Sequence, residues 1–164
     1  MAKKPKQSKA LPIYILNGPN LNLLGHREPE VYGRTTLAEI EKMCAAQAAS
    51  HGLSIVFHQS NHEGEIVDQI QEARTSASAV IINPAGYGHT SIAILDSIQA
   101  LTIPVIECHL SNIHRREPYR HLSYVSKGAT GIVMGLGAQG YLRAVDAVAN
   151  ILAATPSPTF KVKK

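Results

Sequence analysis

The chain has 164 residues, which suits one domain, and its hydrophobic content of 45% is enough for a packed core. Its formal net charge of +4 comes from seven lysines at the two ends, since the rest of the chain has nine basic and twelve acidic residues. This distribution argues against a nucleic-acid-binding face, and no apolar run approaches the roughly 20 residues that span a bilayer. We expect a cytoplasmic globular protein that binds neither nucleic acid nor membranes.

Five short apolar runs are predicted to be strands buried on both faces: PIYILNG, LSIVFHQS, SAVIINPA, IPVIECHL and GIVMGLG. Helical patterns alternate with them. The first begins at a capping box of Thr36 and Glu39 and ends at Gly52. The others are EGEIVDQIQEART, HTSIAILDSIQAL and AQGYLRAVDAVANILAA. This order predicts an α/β fold with a five-stranded, doubly wound parallel sheet and helices on both faces.

The composition also predicts the domain boundaries. Residues 11–155 are expected to form one domain, between a basic disordered tail at 1–10 and a disordered C-terminal tail at 156–164. Cys44 lies in a helical pattern and Cys108 in a strand pattern. We therefore expect two buried thiols rather than a disulfide.

Polar residues that follow strands are the candidate site residues, because ligands of open parallel sheets bind outside the carboxyl ends of the strands. After the first strand, NGPNLNLLGHREPEVYGRTT contains Arg27 and Tyr32. A free tyrosine, with a pKa of about 10, is a poor base, but a nearby guanidinium favours the phenolate. From this loop alone, a surface tyrosine packed on a proline is the favoured interpretation.

The third predicted strand runs into NPAGYGHTS, with Asn83 at the strand end and His89 at the start of a helical pattern. A histidine in such a place more often makes structural hydrogen bonds than performs chemistry. Asp96 follows seven residues later on the same helical face, about 10 Å away. We therefore do not expect one small substrate to contact both His89 and Asp96 within one subunit.

The segment ECHLSNIHRREPYR after the fourth strand is rich in chemical groups. Glu107 and His109 are two apart on a strand and face the same side. A carboxylate beside an imidazole favours the protonated ring, which suits a general acid. Leu110 and Ser111 then offer backbone N–H groups to an anion. A cluster of guanidinium groups follows, for which a solvated charged face is the alternative: Arg115, Arg116 and Arg120.

Two weaker patterns suggest a nucleotide or a metal. GLGAQG has the spacing of a dinucleotide-binding loop, but it follows the last strand, so tight packing between strand and helix is favoured. His58 and His62 straddle a strand end, and no Cys/His cluster accompanies them. We expect neither a metal nor a cofactor.

Taken together, four motifs resemble those of the type II 3-dehydroquinate dehydratases: NGPNLNLLG with REPEVYG, NPAGYGHTS, ECHLSNIHRRE with Arg120, and GLGAQGY. The motifs occur in that family's order, from about Ile13 to Ala153. The resemblance implies a flavodoxin-like catalytic domain, a homododecamer built of trimers, and no cofactor. It also implies a hydro-lyase reaction of the shikimate pathway, in which 3-dehydroquinate is reversibly dehydrated to 3-dehydroshikimate through an enolate. Quinate breakdown by the same reaction and a non-catalytic flavodoxin-like module are the alternatives.

The resemblance also implies a role for each matching position. Tyr32 corresponds to the base, Arg27 to the transition-state stabiliser, and His109 to the general acid that Glu107 orients. The positions that match substrate-binding residues are Asn83, His89, Leu110, Ser111, Arg116 and Arg120, together with Asp96, which would reach the site of a neighbouring subunit.

The unrelated type I route uses a lysine Schiff base. Outside the predicted tails the only lysines are Lys42, in a helical pattern, and Lys127, in a polar loop. Neither follows a predicted strand at the cleft, so the sequence disfavours an imine mechanism.

Overall fold

The computed structural model describes residues 10–26 and 34–154, and this part of the chain forms one α/β unit. The strands are β1 (Ile13–Asn17), β2 (Ile55–Gln59), β3 (Ala79–Asn83), β4 (Val105–His109) and β5 (Gly131–Met134). The α-helices are α1 (Leu37–Ser50), α2 (Glu63–Ser76), α3 (Ile92–Gln99) and α4 (Gln139–Ala153). The predicted tails beyond this range, Arg27 and Tyr32 lie outside the described residues.

The sheet has the strand order β2-β1-β3-β4-β5, and each neighbouring pair is parallel. This is the flavodoxin-like order, so the predicted doubly wound parallel sheet is confirmed. The chain reverses its direction of winding between β1 and β3, where such sheets bind ligands. The register aligns Asn17, Gln59 and Asn83 at this edge, so polar strand ends meet there.

Alternate residues of the central strands pack on opposite faces of the sheet, as the two-residue period of a strand requires. Ile15 and Ile81 belong to the apolar cluster with residues of α1 and α4, whereas Leu16 belongs to the cluster with residues of α2 and α3. Cys44 and Cys108 are free and buried in the first cluster, so the predicted pair of buried thiols is confirmed. Burial raises the pKa of the Cys44 thiol to about 12.

The two edge strands differ from the expectation of burial on both faces. All residues of β1, β3 and β4 are buried, but those of β2 are only half-buried, and Ile132 in β5 is 45% exposed. Each edge strand has a neighbour on one side only, which its apolar sequence does not reveal. Among the described residues, no helix combines the length and apolar character needed to cross a membrane.

Local capping determines where two helices begin. Thr36 accepts from the N–H of Glu39, whose carboxylate accepts from the N–H of Thr36, so the predicted capping box of α1 is confirmed. Ser91 caps α3 by accepting from the N–H of Ile94 at 2.9 Å. His89 therefore lies before α3, in the 3-10 turn Ala85–His89. The expected helical spacing between His89 and Asp96 was wrong for this reason.

We expect Gly18→Ala to destabilise the fold, because Gly18, directly after β1, lies against the backbone directly after β3. Its N–H donates to the carbonyl of Asn83 at 2.8 Å, and a Cβ here would lie 2.3 Å from the carbonyl oxygen of Pro84. Denaturant unfolding should show a loss of about 1–3 kcal/mol in the free energy of unfolding. Gly64→Ala is the matched control, since a Cβ there meets nothing within 4 Å and alanine favours the helix. Wild-type stability of Gly18→Ala would contradict the close approach.

Candidate active site

A cavity of about 140 Å³ lies at the carboxyl edge of the sheet, beside the ends of β3 and β4. The loops that follow β1, β3 and β4 line it, as the strand-end rule predicts. The loop after β5 contributes no lining residue among the described ones. Of the predicted site residues, the cavity brings together Asn83, His89, His109, Leu110, Ser111, Arg116 and Arg120.

The buried pair of Glu107 and His109 forms one wall of the site. His109 Nε2 lies 2.6 Å from Glu107 Oε1, with the glutamate fully buried and the histidine 5% exposed. Ser123 donates its hydroxyl to the same carboxylate oxygen, and Ser126 donates to the other. Because a carboxylate accepts, Nε2 carries the proton of this contact. Among the described residues, nothing bonds His109 Nδ1, which leaves that nitrogen for a ligand.

These contacts keep the Glu107 carboxylate ionised. Burial by itself would raise the pKa of Glu107, but the hydrogen bond and charge of His109 oppose it. With the two serine hydroxyls added, the pKa of Glu107 falls below its ordinary value. The carboxylate therefore remains an anionic acceptor for the proton on His109 Nε2.

His89 faces His109 across the cavity but has a different partner. The two rings are nearly parallel, with centroids 6.4 Å apart. His89 Nδ1 donates to the carbonyl of Leu122 at 2.7 Å, since that oxygen only accepts. Burial, with His109 and Arg120 nearby, lowers the pKa of His89. A neutral His89 therefore presents Nε2 as an acceptor at neutral pH.

Two of the three predicted arginines line the cavity on the side of the loop after β4. Arg116 and Arg120 both place Nε near the carboxylate of Glu117, at 3.4 and 3.0 Å. Arg116 also lies 3.4 Å from the hydroxyl of Ser111. Arg115 belongs to the 3-10 turn Ile113–Arg115 and does not line the cavity. The paired guanidiniums make this end of the cavity suitable for an anion.

Asp96 lies apart from this cavity. It is exposed on α3, in a separate depression between α2 and α3 that Arg74 also lines. Arg27 and Tyr32 lie outside the described residues, so their positions relative to the cavity stay predictions. Within one subunit, the structure therefore places Asp96 away from the cavity.

Among the described residues, His58 and His62 do not belong to a cluster that could hold a metal. His58 lies in β2 with its ring 5.7 Å from that of Tyr14, and His62 precedes α2. No group of three His, Cys, Asp or Glu residues in 10–26 and 34–154 is arranged to hold a metal ion.

The sequence reasoning missed Asn20, a polar residue that lines the cavity next to β1. It adopts a left-handed conformation with φ of 66°, and its N–H donates to the side chain of Asn61 at 2.9 Å. A non-glycine residue in this region is uncommon and marks a constrained position. The sequence contains a signal for this conformation, because asparagine is enriched in the left-handed region and Asn20 follows a proline in the loop after β1. The interpretation of that loop, however, considered only Arg27 and Tyr32.

The chain matches the family model for dehydroquinase class II over residues 11–149. A 3-dehydroquinate dehydratase of Caulobacter sp. (strain K31) is 60% identical over 143 residues, covering 87% of this chain and 97% of that protein. Another, from Streptomyces coelicolor, is 54% identical over 151 residues, covering 92% and 96%. The crystal structure of type II dehydroquinase from Propionibacterium acnes is similar with a TM-score of 0.83 and 39% identity, covering 88% of this chain and 99% of that one. The chain therefore belongs to the class II dehydroquinase family.

Proposed function

We propose that the chain is a hydro-lyase that converts 3-dehydroquinate to 3-dehydroshikimate. The observation that carries the proposal is the buried pair of Glu107 and His109, because His109 lines the cavity at the switch point of the sheet. The chain that contains this pair belongs to the class II dehydroquinase family. The reaction removes a proton from C2 and the hydroxyl from C1, and the electrons of the C2–H bond form the new double bond. It is an elimination, which needs a base, an acid and stabilisation of an enolate.

His109 is the proposed general acid. Ionised Glu107 stabilises the imidazolium, and the Nδ1 proton of that imidazolium is available to the departing hydroxyl, which leaves as water. Tyr32 is the proposed base that accepts the C2 proton, and Arg27 stabilises the negative charge that develops on the enolate. These two assignments rest on their motif positions in the family.

The other cavity residues divide between the two ends of the substrate. Arg116 and Arg120, with Ser111 and the backbone of Leu110, are proposed to bind its carboxylate. Neutral His89 accepts a hydrogen bond from a substrate hydroxyl through Nε2, and Asn83 contributes its side-chain amide.

The described lysines do not favour an imine mechanism. Lys42 lies in α1, and Lys127 ends a 3-10 turn with its ammonium 5.2 Å from the ring of Tyr124. Neither lines the cavity.

We further propose that the subunits assemble as a homododecamer of trimers in the cytoplasm, and that Asp96 completes the site of a neighbouring subunit. Its position on an exposed helix face, away from its own cavity, supports a role across an interface. Supply of 3-dehydroshikimate to aromatic amino acid biosynthesis is the proposed role, and quinate breakdown is the alternative.

Purified protein is expected to generate enone absorbance when mixed with 3-dehydroquinate, because the product has a carbonyl conjugated with its new double bond. A continuous absorbance assay at micromolar enzyme measures this directly. No rise above the substrate alone would overturn the proposed function. Such a result, together with a yellow, flavin-containing preparation, would instead support a flavodoxin-like carrier.

His109→Ala is expected to lower kcat by about 10²–10⁴-fold, the usual contribution of a general acid. His51→Ala is the matched control, since His51 pairs with Asp146 at 2.8 Å on the surface between α1 and α4 and does not line the cavity. Circular dichroism checks that both variants fold. Wild-type kcat in folded His109→Ala would show that another group protonates the leaving hydroxyl.

A shared site predicts that two weakened variants complement each other. Asp96→Ala and His109→Ala chains are co-expressed with different tags, and hybrid assemblies are purified through both tags. Sites that combine His109 from one chain with Asp96 from its neighbour are intact, about a quarter of all sites if the subunits assort at random. Activity should therefore exceed that of either parent. Hybrid assemblies with no gain, or a monomer on a sizing column, would contradict the contribution of Asp96 across the interface.

A further inference from the structure

The segment GLGAQGY after β5 supports the cavity without lining it. Gly135 and Gly137 have positive φ values of 84° and 58°, and their N–H groups donate to the carbonyls of His109 at 3.2 Å and Leu110 at 2.9 Å. The turn thus holds the carboxyl end of β4. Its last residue, Tyr141, is fully buried, and its hydroxyl reaches the ends of β1 and β3.

The hydroxyl of Tyr141 lies at the centre of a chain of hydrogen bonds in which every group donates in the same direction. Asn17 donates its amide to the carbonyl of His58 at 2.9 Å, and its Oδ1 accepts from the Tyr141 hydroxyl at 2.6 Å. The Tyr141 oxygen in turn accepts from Asn83 Nδ2 at 2.9 Å, and Asn83 Oδ1 accepts from the N–H of Ala85 at 3.2 Å.

The two ends of this chain fix the orientation of every group in it. The carbonyl of His58 only accepts and the N–H of Ala85 only donates, so neither asparagine amide can be reversed without breaking a bond. Burial raises the pKa of Tyr141 well above its ordinary value, so the hydroxyl keeps the proton that it donates to Asn17.

The orientation of Asn83 has two consequences for the cavity that it lines. One Nδ2 hydrogen goes to Tyr141, which leaves the second as a donor for a ligand. Asn83 Oδ1 accepts from the N–H of Ala85, whose φ of 51° lies in the left-handed region that disfavours residues with a side chain. That turn continues to His89, so the same amide supports the path of the chain to the facing imidazole.

We propose that Tyr141 is a positioning residue, whose hydroxyl fixes the side-chain amide of Asn83 so that it presents an N–H donor to the substrate. The inference rests on the proposed function and extends it to a residue that does not contact the cavity. Packing alone does not require the hydroxyl, because phenylalanine offers the same ring to the core. The hydroxyl instead supplies the acceptor that Asn83 needs and the donor that Asn17 needs.

The test compares two buried tyrosines on opposite faces of the sheet. Tyr141→Phe removes the central hydroxyl, whereas Tyr14→Phe removes a hydroxyl that donates to Glu72 at 2.7 Å in the other apolar cluster. Both variants lose one hydrogen-bonding group, so both are expected to lose some stability. Only Tyr141→Phe is expected to lose kcat/KM, by about tenfold, because one substrate contact is no longer held in place.

A double-mutant cycle separates positioning from general destabilisation. In an Asn83→Ala background, Tyr141→Phe should change kcat/KM by less than about twofold, because the amide that it orients is gone. An equal loss in both backgrounds, or wild-type kcat/KM in Tyr141→Phe itself, would overturn the inference. Failure of the proposed function is seen separately, as a wild-type protein that does not turn over 3-dehydroquinate.

Asn17→Ala provides a second variant should Tyr141→Phe not fold by circular dichroism. It keeps the ring of Tyr141 but removes the acceptor that fixes its proton, so the hydroxyl competes with the N–H of Ala85 for Asn83 Oδ1 and disturbs the orientation of the amide. Asn17 does not line the cavity. We expect the same loss of kcat/KM, and retention of the wild-type value in folded Asn17→Ala would likewise overturn the inference.

Discussion

The buried carboxylate of Glu107 is the constraint on which the site around β4 depends. An ionised group without solvent exposure costs several kcal/mol unless it is paired and hydrogen-bonded. His109 supplies one partner from the same strand, but Ser123 and Ser126 come from later in the chain, so the loop after β4 must fold back over the strand. The returning segment also offers the carbonyl of Leu122 to His89. Satisfying one charge thus helps to place both imidazoles.

The opposite side of the cavity is organised without charge. Asn17 and Asn83 end the neighbouring strands β1 and β3, and the parallel register brings them side by side. Two amides alone would leave their orientation open, since the two ends of an amide are similar in shape. The hydroxyl of Tyr141 and the two backbone groups at the ends of the chain remove that freedom. A neutral hydrogen-bond network here fixes the orientation of the amides without adding a second buried charge beside Glu107.

The sequence predicted those features that depend on local pattern. The alternation of apolar runs and helices gave the parallel sheet, and Thr36 and Glu39 gave the start of α1. The strand-end rule predicted which segments line the cavity after β3 and β4. Half-burial of β2 and β5 was not predictable from their composition, because it depends on strand order.

The supporting residues were hidden for a different reason. Ser123 and Ser126 lie in a polar loop without any motif, and their role arises only when the loop meets Glu107. The sequence indicates that Tyr141 is a core residue at the start of a helix, and the structure buries it. Its hydroxyl forms hydrogen bonds only because the ends of two strands meet beside it. Hydrogen bonds between residues that are far apart in the chain cannot be inferred from the sequence around either residue.

The distribution of charge gives the cavity a polarity that matches the proposed reaction. Arg116 and Arg120 bring two guanidinium charges to one end of the cavity, where both lie near the carboxylate of Glu117, so this end favours an anion. Of the two facing imidazoles, one has the carboxylate of Glu107 as its partner and the other has a carbonyl. In the proposed reaction, a substrate whose carboxylate binds at the arginine end would meet two chemically different rings, the proposed proton donor at His109 and the proposed acceptor at His89. The different partners of the two rings, rather than their shared residue type, are the basis for proposing different roles.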